Sequence, residues 1–510
     1  MLRSFEKHAR GRGIGEDTHQ YNSSKLYLFN CQYSSISSSM STSMKSAKDD
    51  DASRVSTVMR TIRERIAGRS LAPGARLPSI REMAARAGVS KTTVVDAYDR
   101  LAAEGLIASR RGSGFFVAGH APPLELAQLG PQLDREVDPL WITRQSLEDG
   151  PQLLKPGCGW MPSSWMPEEA IRRALRAIAR DPAAPLSDYG SPLGLPALRR
   201  QLGLRLAQHG ADASPQQIVL TDSGSHALDL LCRFLLEAGD TVVVDDPCYF
   251  NFQAMLRAHR VRVVGVPFTP SGPDLAHFER VLAEHRPRLY LTNAAIHNPT
   301  GATLSAPVAH RVLKLAEEHD LLIIEDDIFA DFEREPAPRL AAFDGLRRVA
   351  VIGSFSKTLS AAARCGFIAV RPDWVEPLVD LKLATSFGNS PLTSALVLRL
   401  LLDGTYRRHL EAMHARLADA MSVAVKRLTG LGLDIWHSPR AGMFVWARLP
   451  GGLDAAAVAR HALAEDVVLA PGNVFSVSQT AAGFLRFNVS QCTRPKIYET
   501  LERSMQRCRT

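Results

Sequence analysis

The stretch Val349-Ala-Val-Ile-Gly-Ser-Phe-Ser-Lys357-Thr-Leu reads as a buried strand that breaks into a Ser/Gly turn and presents one lysine. A lysine that condenses with a carbonyl needs such a rigid platform and a partly desolvated ammonium. Seven residues on, Arg364 is placed to neutralise a phosphate, with Ser354 and Ser356 as hydroxyl donors. Leu322-Ile-Ile-Glu-Asp-Asp-Ile-Phe puts Asp326 at the C-terminal end of another strand. A carboxylate there can pair with a protonated ring nitrogen and keep that ring an electron sink. His297-Asn-Pro-Thr-Gly sets Asn298 in a strand-end turn, its amide free for a phenolic oxygen. Thr221-Asp-Ser-Gly-Ser-His runs into a helix starting near His226, where backbone N–H groups with Ser223 and Ser225 form a phosphate cradle. Tyr249 offers a ring for stacking, Tyr189 precedes a helix, and Arg486 sits on a late strand, fit for bidentate carboxylate binding. Singly these are ordinary features: a surface lysine, a helix-capping aspartate, a turn. Together, in order, they are candidates for one site that sets a reactive lysine beside phosphate-binding groups.

Such a site needs strands that end at one edge. Apolar runs at 218–221, 242–244, 263–266, 289–292, 321–325, 349–352 and 367–370 are strand candidates, and amphipathic stretches such as 226–238, 275–285 and 307–319 lie between them. That alternation predicts a mostly parallel sheet covered by helices, with a smaller C-terminal subdomain after about residue 372. At 510 residues, two or more domains are expected. The composition, 45% hydrophobic and 22% charged, is that of a globular chain without a membrane-spanning run or secretory segment. Seven scattered cysteines, without C-x-x-C, argue against a zinc site or a disulfide framework and suit the reducing cytoplasm. Residues 1–52, rich in Ser and Asn, read as a disordered tail, part of it an artefact of start-site choice with Met40 or Met44 as the real start. Residues 53–118 form a compact helical unit with a hairpin, 119–152 a linker, and 153–510 the sheet-based domain.

The net charge of +8 is concentrated: twelve basic residues stand against five acids between Arg54 and Arg111. Such a stretch suits a polyanion, although a solvated basic surface is its commoner explanation. Within it, Ser79 begins a capping box with Glu82, and Ile80, Met83, Ala84 and Ala87 share a helix face. Gly88 allows a turn, and Ser90 caps a second helix with Val94, Ala97, Tyr98 and Leu101 at core spacing. Its first turn is expected to expose Lys91, Thr92 and Thr93, the arrangement of a recognition helix. Two short strands then carry Arg110, Arg111 and Gly112 at the tip of a wing.

Leu77-Pro-Ser, the capped helix pair and the Arg-Arg-Gly-x-Gly wing together resemble the GntR family of winged helix-turn-helix domains, over roughly 54–118. The resemblance implies double-stranded DNA as partner, contacted by Arg81, Lys91, Thr92, Thr93 and Gly112. An arginine that some members carry on the outer face falls at Val95 here. From about 155 to 505 the chain resembles fold-type I aminotransferases of the aspartate aminotransferase superfamily. That implies pyridoxal 5'-phosphate as an internal aldimine on Lys357, with Asp326 on the pyridine nitrogen, Asn298 on the phenolate and Tyr249 stacked on the ring. It further implies Ser223, Gly224, Ser225, Ser354 and Arg364 on the phosphate, Arg486 on a substrate carboxylate, and Tyr189 lent by the second subunit of a domain-swapped homodimer. The chain departs at Phe329, where many relatives have a tyrosine near the phenolic oxygen.

The fold class expected is therefore multi-domain: an N-terminal winged helix-turn-helix (α+β), then an α/β PLP-dependent transferase domain of fold type I with a smaller C-terminal α+β subdomain. Joined in one chain, these resemble the MocR subfamily of GntR-type regulators. The expectation is a cytoplasmic transcription regulator that reads an operator with two half-sites and senses PLP, or an amine or amino-acid effector. The alternatives are an active aminotransferase with an accessory DNA-binding head, and a PLP-free remnant acting as a scaffold. The Arg-rich wing speaks against a plain enzyme, and the intact Lys357, Asp326 and Arg364 against the remnant.

Overall fold

A computed structural model describes residues 45–67, 71, 75–110, 113–118, 143, 147, 153–293 and 295–509. The chain divides into two compact units between Pro123 and Leu124. Most of the stretch read as a linker, and residues 1–44, lie outside the described residues.

The first unit is built on three helices, Lys45–Ala67, Ile80–Ala87 and Lys91–Ala103, and a hairpin of β1 (Ile107–Arg110) and β2 (Gly114–Val117). Val55, Val58, Met59 and Ile62 recur at three- and four-residue spacing, so one stripe of the first helix meets Val94, Ala97, Tyr98 and Leu101 of the third. The Tyr98 hydroxyl is satisfied in this core by donating to the Pro78 carbonyl at 2.9 Å. Ser79 Oγ accepts from the Glu82 N–H at 3.3 Å, and Gly88, at φ 65°, ends the second helix in the left-handed conformation. In β1–β2, Ile107 faces Val117 and Arg110 faces Gly114.

Three expectations are corrected here. Residues 45–52 are helical rather than featureless, because the helix nucleated on the packed stripe extends outward through them. Ala87 is exposed, at the frayed end of a short helix. Glu82 binds Arg86 Nη2 at 2.6 Å, one turn along its own helix, so the reciprocal half of the box gives way to an i,i+4 pair.

The second unit centres on an eight-stranded sheet in the order β3-β10-β9-β8-β7-β4-β5-β6. Its strands are β3 (Ile218–Thr221), β4 (Thr241–Asp246), β5 (Arg262–Thr269), β6 (Gly272–Pro273), β7 (Leu289–Thr292), β8 (Leu322–Asp326), β9 (Val349–Ser354) and β10 (Gly366–Ala369). β9, β8, β7, β4 and β5 run parallel, while β10 pairs antiparallel with both neighbours. Side-chain alternation explains why these strands read as continuous apolar runs. Val243, Tyr290, Ile323 and Val351 enter one helix-covered core, and Val242, Leu291, Ile324 and Ile352 enter the other. Parallel strands also finish at one edge, which is where side chains of different strands can converge.

The helices Val375–Ser386 and Pro391–Leu402 join the cores on the two faces of this sheet, through Leu378 on one and Val397 and Leu400 on the other. The smaller subdomain therefore starts later than residue 372. The helix Thr405–Gly430 links the two: Tyr406 belongs to the large core, while Met413, Leu417, Ala424 and Leu428 belong to the small one. There, β11 (Asp434–Ile435), β12 (Phe444–Arg448), β13 (Ala470–Pro471) and β14 (Phe484–Asn488) form an antiparallel sheet, β11-β12-β14-β13, backed by the helices Ala455–Leu463 and Pro495–Arg507. The segment from Leu153 is tied to it, with Gly157 N–H donating to the Val468 carbonyl and Asn488 N–H to that of Pro156.

The end of β8 is anchored by buried charge. Arg339, 1% exposed, gives Nη2 to Asp327 Oδ1 at 3.1 Å, gives Nη1 to the Ala337 carbonyl at 2.7 Å, and forms an ion pair with Glu333 Oε2 at 2.6 Å. Glu325 accepts the N–H groups of Leu340 and Ala341, both at 2.9 Å. Removing one member of such a cluster leaves unpaired charge in the interior. Arg339→Ala is expected to destabilise the second unit by about 3–5 kcal/mol, seen in calorimetry of the full chain as a lowered Tm of one transition.

Candidate functional site

A cavity of about 320 Å3 opens at the C-terminal edge of the parallel strands. It is lined by Lys357, Asp326, Asn298, Tyr249, Ser223, Gly224, Ser225 and Arg364, so eight sequence-predicted residues meet in one place. Gly159, Asn293, Ile328 and Phe329 complete much of the wall.

Lys357 stands just beyond β9, with Nζ donating to the Gly159 carbonyl at 2.8 Å. Burial, followed by the positive charge of Arg486, brings its ammonium down to about 8. Its neighbour Thr358 is held firmly. Its hydroxyl bonds to that of Tyr406, which donates to Asp331 Oδ2 at 2.5 Å, and Asp331 also pairs with Arg205. His409 Nε2 reaches the Thr358 carbonyl at 2.7 Å. The lysine turn and the segment after Asp326 are thus pinned to the same two helices, Pro196–Gln208 and Thr405–Gly430.

Asp326 closes β8. Burial pushes its carboxyl up to about 7, against the Ile328 N–H, which donates to Oδ1 at 3.1 Å. Asn293 Nδ2 donates to its carbonyl at 2.9 Å, leaving Asn293 Oδ1 buried without a partner among the described residues. Asn298 Oδ1 accepts from Arg486 Nη1 at 2.9 Å. Arg486 is 1% exposed, lies between the rings of Phe444 and Phe475, and gives Nη2 to the Gly157 carbonyl at 2.6 Å. Its Nε is buried and unpartnered among the described residues, and burial lowers the guanidinium to about 10. Burial also raises the Tyr249 phenol.

The opposite wall is the N-terminus of the helix Gly224–Leu235. Ser223 Oγ accepts from the His226 N–H at 3.0 Å, aligning the free N–H groups of the first turn. Glycine is required beneath them: a Cβ at Gly366 would stand 2.6 Å from the Ser223 carbonyl carbon. Arg364 is exposed and held at φ 42°, a conformation unusual for a non-glycine residue.

Three predicted members do not line the cavity: Arg486, which reaches it through Asn298, and Ser354 and Tyr189. Ser354 is set behind the cavity, bonded to Ser356 Oγ at 2.8 Å and to the Cys365 carbonyl at 3.1 Å, while Ser356 lines the wall. Tyr189 is 82% exposed and packs on Phe387, ring centroids 4.7 Å apart. Sequence reasoning missed Gly159, Asn293, Ile328 and Gly366. Ile328 was within reach, two residues beyond Asp326, whereas Gly159 comes from a segment with no periodic pattern.

In the first unit, Arg81, Lys91 and Thr92 are exposed at the helix starts, and Val95 is exposed on the outer face. Thr93 is a correction: it is 2% exposed, with Oγ1 bonded to Ser90 Oγ at 2.8 Å. As the third residue of its helix it turns under the cap, so its hydroxyl helps to order the helix start. Gly112 lies outside the described residues.

This donor set suits a phosphorylated pyridine aldehyde: an amine that loses its proton near neutrality, a carboxylate for a ring nitrogen, an amide for a ring oxygen, and N–H groups with a guanidinium for a phosphate. Residues 162–503 match the family of aminotransferases class I and II, and residues 54–117 match the bacterial regulatory proteins of the gntR family. The chain is similar in fold to LysN, the α-aminoadipate aminotransferase of Thermus thermophilus, solved with N-(5'-phosphopyridoxyl)-L-leucine. The TM-score is 0.66 at 27% identity, over 72% of this chain and 95% of that one. It is similar to an archaeal alanine:glyoxylate aminotransferase at a TM-score of 0.68 and 25% identity, over 75% and 97%. Fold and site define an aminotransferase-like domain of fold type I, carried on one chain with a GntR-type DNA-binding domain.

Over its length the chain is 30% identical to the uncharacterized HTH-type transcriptional regulator YdcR of Escherichia coli (strain K12), covering 84% of this chain and 93% of that protein. It is 25% identical to the HTH-type transcriptional regulator NorG of Staphylococcus aureus (strain USA300), over 78% and 92%. The chain belongs to the MocR subfamily of GntR-type transcriptional regulators. Among the described residues no helix is long and apolar enough to cross a membrane.

The depressed lysine yields a pH prediction. Below its pKa the Nζ is protonated and inert; above it, the neutral amine reacts. Modification of Lys357 by trinitrobenzenesulfonate, followed by peptide mass spectrometry, is expected to be half-maximal near pH 8, whereas exposed lysines follow the ordinary value of about 10.4.

Proposed function

We propose that this regulator holds pyridoxal 5'-phosphate on Lys357 and senses PLP, or an amine or amino-acid effector, while its first unit reads an operator of two half-sites. The observation that carries this reading is the meeting of Lys357, Asp326 and the Ser223–Ser225 turn around one cavity, on a chain that also bears a GntR domain. The phosphate is assigned to Ser223, Gly224, Ser225, Arg364 and, from behind the wall, Ser354. Tyr189, exposed and not among the residues that line its own cavity, is assigned to the site of a second copy in a domain-swapped homodimer. DNA contacts are assigned to Arg81, Lys91, Thr92 and Gly112, and the location to the cytoplasm.

When bound, the cofactor supplies an aldehyde carbon to an amine and a ring that withdraws electrons from it. The chain's own groups prepare that chemistry. Lys357 sheds its Nζ proton near pH 8, close enough to neutrality for a fraction of the amine to be nucleophilic at any time. Asp326 holds a proton at the ring nitrogen, and Asn298 offers its Nδ2 to the ring oxygen because its Oδ1 is already taken by Arg486. Arg486 keeps Nε for an effector carboxylate. Tyr249 and Ile328 line the cavity and would flank the ring and exclude water from it. An effector that binds here biases the spacing of paired DNA heads only through its different affinity for the two arrangements.

The similarity to LysN favours a second reading, an aminotransferase with an accessory DNA head. Phe329 weighs against fast turnover, since it withholds a hydroxyl that helps set the cofactor's proton affinity.

Incubation with PLP is expected to give a visible absorbance band, and borohydride to fix the label on the Lys357 peptide; Lys357→Ala should show neither. A colourless parent protein with no trapped label refutes the cofactor assignment. Footprinting is expected to show two half-sites separated by whole helical turns, with affinity that falls steeply as salt is raised.

A further inference from the structure

A second cavity, of about 420 Å3, lies between Phe332–Arg334, the helix Thr405–Gly430 and the loop 438–442. It shares no lining residue with the first. Its floor is apolar, formed by Phe332, Leu417 and Met421. Its rim carries Arg334, Lys426 and Arg440, all exposed, and among the described residues no carboxylate lines it; Glu333 and Glu335 line a neighbouring cavity that Arg334 and Arg440 also border. Among the described residues none of these three cations forms an ion pair; Arg334 Nη2 reaches only the His414 carbonyl, at 3.3 Å. Elsewhere on this unit exposed arginines pair readily, as Arg172 does with Glu168 and Glu169 and Arg503 with Glu465. Three like charges around an apolar floor repel one another unless an anion joins them. The volume falls in the range of about 300–1,000 Å3 usual for small-molecule sites.

The walls also touch the first site from behind. The loop 438–442 packs on the turn bearing Asn298: a Cβ at Gly442 would stand 2.9 Å from Ile296 Cγ2, and one at Gly301 2.9 Å from Pro439 Cγ. Phe332 and Arg334 continue the segment that begins at Asp326. His414 holds that segment through Nε2 to the Asp331 carbonyl at 2.7 Å, and the Asp331 carboxylate leads through Tyr406 to Thr358, beside Lys357.

We propose that this cavity is a second, non-covalent ligand site for a small organic anion with an aromatic or branched apolar body, coupled to the Lys357 site through the loops they share. The apolar body lies on Phe332, Leu417 and Met421, and the charge sits among Arg334, Lys426 and Arg440. The ligand site stands independently of the proposed function; only the coupling rests on it.

Calorimetric titration of the full chain with 4-phenylbutyrate, phenyl phosphate and uncharged 4-phenylbutanamide tests this. Saturable binding of at least one anion is expected, with the amide at least tenfold weaker. The double variant Lys426→Glu, Arg440→Glu should lose at least tenfold in anion affinity while keeping its urea midpoint, since both side chains are exposed. Lys357→Ala should bind the anions as the parent does; neither Lys426 nor Arg440 lines the first cavity, so the loss in the double variant separates the two sites even if PLP capture fails. Equal binding of the amide, unchanged affinity in the double variant, or no saturable binding of either anion up to about 10 mM overturns the site. For the coupling, saturating PLP is expected to change anion affinity by the same factor as the anion changes PLP affinity; an unchanged value overturns it.

Discussion

A lysine amine and a carboxylate, both largely withdrawn from solvent, face one cavity, and the packing of the second unit holds them there. Taking a charge out of water is costly unless partners replace the lost hydration. Here the replacement is partial: one carbonyl for Lys357, one N–H for Asp326. The two groups therefore move toward each other on the pH scale, to about 8 and about 7. Each then exchanges its proton within the physiological range, as a group that must meet an incoming carbonyl or ring nitrogen requires. The surrounding contacts keep both from relaxing into solvent. Arg339 with Asp327 and Glu333 fixes the end of β8, and the Tyr406–Asp331–Arg205 set fixes the lysine turn.

That constraint explains which parts were legible in the sequence. Strands buried on both faces must be apolar throughout, so 218–221 and 289–292 were readable to the residue as β3 and β7. The helix Leu275–His285 was equally plain, because a capping aspartate and an amphipathic stripe coincide. Residue types that carry chemistry were found because Lys357, Asp326 and Asn298 each sit at a strand end with a recognisable turn. What escaped was settled by tertiary contact. Gly366 matters because a backbone turn from elsewhere in the chain lies against it, and Gly159 because its carbonyl meets a side chain 198 residues away. Neither leaves a local trace. Thr93 and Ala87 were misplaced for a related reason: periodicity gives a face, and the cap geometry at each helix end then rotates its last residues in or out of it.

Position 329 shows how the two lobes share responsibility for the site. Phe329 lines the cofactor cavity, yet its ring packs against Phe332 and Phe444 and belongs to the small-lobe core. A tyrosine there would bring a hydroxyl to the cofactor side; phenylalanine favours the packing side instead. One neutral hydrogen bond contributes about 0.5–1.5 kcal/mol, a two- to roughly tenfold effect. That is small beside the combined grip that the proposed reading gives to a covalent lysine, a ring-nitrogen partner and a phosphate cradle, so under that reading retention of the cofactor does not depend on it.

The consequence falls on turnover rather than on binding. A transaminase must pass protons through the site repeatedly, and every group that tunes the cofactor's proton affinity enters each cycle. A sensor needs a single event, capture or exchange of an amine, whose free energy differs between two arrangements of the chain. Losing a tuning hydroxyl while keeping each anchoring group therefore lowers catalytic competence much more than it lowers the capacity to register a ligand. Under the proposed sensing function, Phe329 would couple that registration to the small lobe, because the same ring that lines the cavity packs against Phe332 and Phe444. Any shift of the ring on ligand capture must be met by repacking in that core, and a close-packed core changes between discrete arrangements rather than yielding gradually.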